Sequence, residues 1–139
     1  MVGCVLTLGA PSRDALAQRT TSVPGELVTV VRGGKWTQGA RVGYYRVLIF
    51  TGGFEHVVSY AQVDWLTDPE APDDSVHIVA SKVADTASWQ LFTPRFVQVA
   101  GKWQVLIDGI EPHPTPTPRG TWRLELGPPG VLKSALRSK

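Results

Sequence analysis

The sequence predicts an all-β domain: a small β-sandwich or partly open β-barrel of about seven or eight antiparallel strands, with little helix. Three observations carry this. Short runs rich in β-branched and aromatic residues recur at 27–31, 42–51, 54–66, 76–83, 96–100, 103–107 and 121–126, each bounded by turn-forming residues. Several of these runs are apolar on both faces, as strands covered on both sides are. No stretch shows the long 3.6-residue apolar periodicity that a βαβ architecture needs for its helices.

Within the first half, residues 2–8 read as a strand and residues 11–19 as at most two turns of helix, with Ser12 as a cap. The run 27–31 ends at Arg32-Gly33-Gly34-Lys35, which reads as a turn. Gly52-Gly53 joins 42–51 to 54–66 as a two-residue hairpin turn. That turn would place Ile49 opposite His56, Val47 opposite Val58 and Tyr45 opposite Tyr60 on the more apolar face. The other face of this hairpin is apolar enough to require a cover or a central place in the sheet.

The second half begins with an acidic, proline-rich loop at 67–75, followed by strands at 76–83 and 88–93. Gly101-Lys102 reads as a type II′ turn that sets Phe96 opposite Ile107 and Arg95 opposite Asp108. Pro112, Pro114, Pro116 and Pro118 alternate with His113, Thr115 and Thr117. Proline at every second position excludes a central strand and favours an extended arm. Trp122, Leu124 and Leu126 alternate against Thr121, Arg123 and Glu125, a half-buried strand. Trp103 and Trp122 belong to the core on this pattern, and 131–137 reads as a helical turn or two or as frayed chain.

The 139 residues fit one domain, 1–139, with a hydrophobic fraction of 42% that excludes a disordered chain. Cys4 is the only cysteine, so neither an internal disulfide nor a cysteine-held zinc is available. Fourteen Lys and Arg against twelve Asp and Glu give a net charge of +2, too small a field to indicate a polyanionic partner. No apolar run is long enough for a transmembrane helix. Ala15-Leu16-Ala17 resembles a signal-peptide cleavage site, but no basic residue precedes the apolar segment and Arg13 and Asp14 interrupt it. A cytoplasmic protein is therefore the expectation, with export the alternative if the start is a truncated signal segment.

Residues able to carry chemistry are dispersed. The candidates for a catalytic site are His56, His77, Asp64 and Asp108, groups able to act as acids or bases if the fold converges them. Their spacing matches no local zinc motif and no nucleophile elbow is present, so neither a metal nor a cofactor is expected. The candidates for ligand binding are Arg32, Lys35, Trp36 and Arg41, because an aromatic ring among basic groups beside a turn can stack a base or sugar. No motif is specific enough to name a family.

The expectation for function is a non-enzymatic binding or accessory module that uses a sheet face or end loops. Its partner would be a protein or a small-molecule ligand, and a homodimer is open. One alternative is a small hydrolase- or isomerase-type enzyme with a dispersed His/Asp site. Another is a weak nucleic-acid-binding protein, which requires Arg32, Lys35, Trp36 and Arg41 to share a surface with Lys102 or Arg119. Nucleic acid is the disfavoured partner on charge.

Overall fold

The computed structural model describes residues 26–53, 57–68, 76–86, 88–113 and 115–138. The expected strand at 2–8, the short helix at 11–19, Cys4, His56 and most of the acidic loop lie outside the described residues. Among the described residues there are nine strands and no helix: β1 Leu27–Gln38, β2 Arg41–Gly52, β3 Val58–Thr67, β4 Ile78–Val83, β5 Gln90–Leu91, β6 Arg95–Val99, β7 Lys102–Ile110, β8 Arg119–Leu126 and β9 Leu132–Ser138.

All pairings are antiparallel. The first sheet is the meander β1-β2-β3-β4. The second is β7-β8-β9, with β5 and β6 end to end along the remaining edge of β7. The two pack face to face, as the all-β sandwich expectation requires. Tyr45, Val47, Ile49, Ala61, Val63 and Trp65 face Val105, Ile107, Trp122, Leu124 and Leu126 across the core. The segment between β4 and β5 crosses from one sheet to the other. The Ala84 N–H donates to Ala61 O at 2.8 Å and the Ser59 N–H to Trp89 O at 3.0 Å, which ties the crossing to the edge of β3.

Several local expectations are corrected. Gly33-Gly34 is not a turn: β1 runs through it, with a bulge between Gly33 and Trp36. Gly34 holds φ +62°, and a Cβ there would lie 2.9 Å from the Tyr45 ring and 3.0 Å from the Trp103 ring. The glycine pair therefore answers the approach of the second sheet, and the actual turn lies at 39–40, between the paired Gln38 and Arg41.

Gly52-Gly53 does not form a two-residue turn either. The β2–β3 ladder ends at Gly52 opposite Val58, with Ile49 opposite Ala61, Val47 opposite Val63 and Tyr45 opposite Trp65. The register is thus five residues away from the expected one. An odd displacement exchanges the faces of β3, so Ala61, Val63 and Trp65 enter the core and Tyr60 is 44% exposed.

The β6–β7 turn is Ala100-Gly101, not Gly101-Lys102. Both residues have positive φ, +48° and +75°, as a type I′ turn requires. Phe96 then lies opposite Val105 and Arg95 opposite Leu106, an even displacement that leaves the faces unchanged. Residues 132–138 form β9 rather than helix. The hairpin into β9 turns at Pro128-Pro129-Gly130, where the Val131 N–H donates to Pro128 O at 2.9 Å and Gly130 takes φ +84°. Proline followed by a positive-φ glycine is the type II arrangement. The proline arm is the loop of the β7–β8 hairpin, closed at its base by the Glu111 N–H donating to Pro118 O at 3.0 Å.

Candidate functional site

The β6–β7 and β8–β9 hairpin tips meet the far end of β1 at one end of the sandwich. Between them lies a cleft of about 590 Å³. Its walls are the rings of Trp36, Tyr45 and Trp103, with Leu126 and Val131 beside them; Lys35, Lys102 and Lys133 also line it. None of these three lysines makes an ion pair among the described residues.

Local sequence explains each wall. Trp36 sits just past the β1 bulge and opposite Gly43, whose missing side chain leaves room for the indole. The Trp36 Nε1–H donates to Tyr44 O at 3.2 Å, so its ring is 2% exposed and locked. The Tyr45 hydroxyl donates to Gly127 O at 3.1 Å, and the Trp65 Nε1–H donates to the same carbonyl at 2.9 Å. Two donors from the first sheet thus hold the β8–β9 turn of the second and fix the cleft's width. Burial pushes the Tyr45 hydroxyl up to about 12, which keeps it a donor well into alkaline pH.

Trp36 and Tyr45 are 2% and 3% exposed with their polar atoms bonded, so they form the cleft's rigid backing, and Trp103 and Val131 supply its accessible apolar surface. Among the described residues, Glu125 is the only acid that lines the cleft, and no histidine does. Glu125 is itself engaged by Arg123 at 3.4 Å.

The four ligand-binding candidates are divided by the fold. Lys35 and Trp36 line the cleft together with Lys102. Arg41 stands at its margin, the guanidinium 6.0 Å from the Trp36 ring centre. Arg32 lies elsewhere, on the outer face of the first sheet, 3.3 Å above the Tyr44 ring. Arg119 is on the outer face of the second sheet, opposite Ile110. Trp36 is thus a wall of the cleft rather than an exposed stacking platform.

The acid–base candidates do not gather around the cleft. Asp64 is fully buried on the outer side of β3. It accepts two hydrogen bonds from Arg46, at 2.6 and 3.0 Å, one from Gln62 Nε2 at 2.8 Å and one from Ser81 Oγ at 2.5 Å. Burial alone would raise its pKa, but the bonds from Ser81, Gln62 and Arg46, with the Arg46 charge, hold the carboxyl below its ordinary value. Asp108 takes Arg95 at 3.1 Å and the Thr121 hydroxyl at 2.5 Å. His77 is exposed just before β4, and its backbone N–H, not its imidazole, donates to Thr67 Oγ1 at 2.9 Å. His56 lies outside the described residues. Among the described residues, no three His, Cys, Asp or Glu side chains form a metal-binding group, and no helix is long and apolar enough to cross a membrane.

Sequence reasoning missed the site's second half. Trp103 was expected in the core and Tyr45 on the more apolar face of its hairpin; both pack with the core and line the cleft as well. Lys133 fell in a segment expected to be helical or frayed. Their convergence depends on the β8–β9 turn folding back under the Gly127 carbonyl, which no local pattern announces. Comparison with protein-family models, with curated proteins and with solved structures finds no match for this chain.

Proposed function

We propose that this chain is a small, non-enzymatic binding domain whose end cleft takes an anionic small molecule with a flat or apolar body. The observation that supports this most is the joint lining of one cleft by three aromatic rings and three lysines. The half-buried Trp103 ring and the exposed Val131, set on the buried Trp36 and Tyr45, offer an apolar bed, and the ammonium groups offer charge for a carboxylate, sulfonate or phosphate. The cleft's size falls within the ordinary range for such ligands.

Anilinonaphthalene sulfonate is a suitable first probe, since it carries one anionic group on flat rings. Saturable binding is expected, with energy transfer from tryptophan. Trp103→Ala and the pair Lys35→Ala with Lys102→Ala should each weaken it at least about tenfold, or 1.4 kcal/mol. Failure of this probe and of a panel of aromatic carboxylates to saturate below about 1 mM would reject the proposal. Binding that survives both sets of substitutions would place the ligand elsewhere.

A further inference from the structure

The modest net charge conceals how the charge is placed. The register sets Arg95, Lys102, Arg119, Arg123, Lys133 and Arg137 all on the outer face of the second sheet. The acids there are Asp108 and Glu125, each already paired with an arginine. Among the described residues, this face holds six of eleven basic side chains and two of seven acidic ones, leaving five against five elsewhere. The net positive charge of the described residues is thus local to one face, and the rest of them balance.

Four of the six cations form a line. Along the β8–β9 ladder, Lys133 is opposite Glu125, Arg123 opposite Ala135, Arg137 opposite Thr121, and Arg119 stands two residues before Thr121. The order Lys133, Arg123, Arg137, Arg119 alternates between two adjacent strands. Each step moves one strand across and two residues along, about 8 Å, so the row extends for about 20 Å. A depression of about 850 Å³ on the same face is lined by Arg95, Arg123 and Arg137, together with Asp108, Thr121 and Ala135. Protection of an edge strand accounts for cations on β9. It does not account for Arg119 and Arg123, because β8 is paired on both sides.

We infer that this stripe binds a linear polyanion of the polysaccharide kind, one bearing sulfate or carboxylate groups along a flexible chain. Charge complementarity is the main argument: three guanidiniums and an ammonium in a row match repeating anionic groups, and guanidinium pairs such oxyanions in a planar, bidentate manner. The residues between them are Thr121, Ala135 and Glu125, so the described face carries no ring on which a nucleic-acid base would stack. The stripe is separate from the cleft except at Lys133, which belongs to both, and its occupancy does not depend on a ligand in the cleft.

The test uses a heparin oligosaccharide, with neutral dextran and oligonucleotides of equal charge alongside, titrated over a range of salt. Heparin is expected to bind at low ionic strength and to weaken steeply as salt displaces it. Arg123→Gln with Arg137→Gln should reduce affinity at least about tenfold. Arg32→Gln with Lys82→Gln, the latter exposed on β4, removes the same charge from the other sheet and should change affinity less than about twofold. Arg119→Gln, at an exposed position in no described ion pair, gives a second measurement should the double variant fold poorly. Absence of heparin binding would overturn the inference. So would equal losses in the two charge-matched variants, which would mean net charge and not a stripe. Tighter binding of an oligonucleotide would replace polysaccharide with nucleic acid.

Discussion

The two outer faces of the sandwich carry the same small device in opposite settings. In the first sheet, Arg46, Asp64 and Ser81 lie on the consecutive strands β2, β3 and β4. In the second, Arg95, Asp108 and Thr121 lie on the consecutive strands β6, β7 and β8. In each, an aspartate on the middle strand takes an arginine from one side and a hydroxyl from the other. Yet the Asp64 side chain is 1% exposed and the Asp108 side chain 44%.

Register and neighbours explain the difference. Arg46 is directly opposite Asp64, whereas Arg95 is opposite Leu106 and reaches Asp108 along the diagonal. Leu48, Phe50 and Leu66 share the Asp64 face and are themselves buried. Asp108 instead shares its face with Arg123, Lys133 and Arg137. Among apolar neighbours the device is an internally neutralised pair with its carboxylate buried and its guanidinium about a third exposed. Among cations it only trims a positive field.

The largest expected effect follows from the buried cluster. Asp64→Ala leaves the Arg46 guanidinium in a pocket that had been neutralised, and should cost about 3–5 kcal/mol by equilibrium denaturation. Replacing Arg46 by Met and Asp64 by Leu together should recover most of that loss, because no uncompensated charge remains. The same carboxyl sets an acid limit. Its folded pKa lies below the ordinary 3.8, so its contribution is present above the unfolded value and is lost as pH falls through the folded one. The stability gap between the protein and Asp64→Asn should narrow as pH falls below about 4. A gap independent of pH would mean that the carboxylate's charge is not what stabilises the face.

An intermediate effect is expected at the alkaline end, again from a buried group. The Tyr45 hydroxyl has a folded pKa of about 12 against an ordinary 10. Its contribution is complete below the unfolded value and is lost as pH rises through the folded one. Stability should fall by on the order of 2 kcal/mol between about pH 10 and 12. Tyr45→Phe should remove that slope while costing about 1 kcal/mol at neutral pH, because the Trp65 indole still occupies the Gly127 carbonyl. Retention of the slope in Tyr45→Phe would assign it to another group.

The contrast between faces also explains what the sequence could disclose. β8 is apolar on one side and polar on the other, so its alternation alone placed Trp122, Leu124 and Leu126 inward. β2 and β3 are apolar on both sides, because the Asp64 face carries Leu48, Phe50 and Leu66. Alternation then says nothing about which side is core. The register rested on the Gly52-Gly53 turn, and a five-residue error there turned β3 over. The Gly33-Gly34 pair misled for a non-local reason: it makes room for Phe96 and Trp103 of the opposite sheet. β9 looked helical because Leu132, Lys133, Ala135, Leu136 and Arg137 are good helix formers. Its pairing with β8 overrides that preference. The cation stripe was hidden twice, by an evenly balanced net charge and by the misjudged strand that carries half of it.

The smallest expected effect is at the exposed counterpart, and it discriminates between the two roles. Asp108→Ala removes a carboxylate whose ion pair with Arg95 is screened by water, since both side chains are about half exposed. Such pairs contribute about 0.2–1 kcal/mol, so the denaturation midpoint should shift little. The charge consequence should be larger than the stability consequence. Loss of Asp108 frees Arg95 and raises the net positive charge of the outer face, so heparin affinity should rise, by about two- to fivefold at low salt, with a steeper salt dependence. Asp64→Asn changes the net charge equally but acts beneath an apolar face on the opposite sheet, and should leave heparin affinity nearly unchanged. A stability loss at Asp108 comparable to that at Asp64 would show that diagonal pairing and solvent exposure do not weaken the device. An unchanged heparin affinity would show that Asp108 does not tune the positive face.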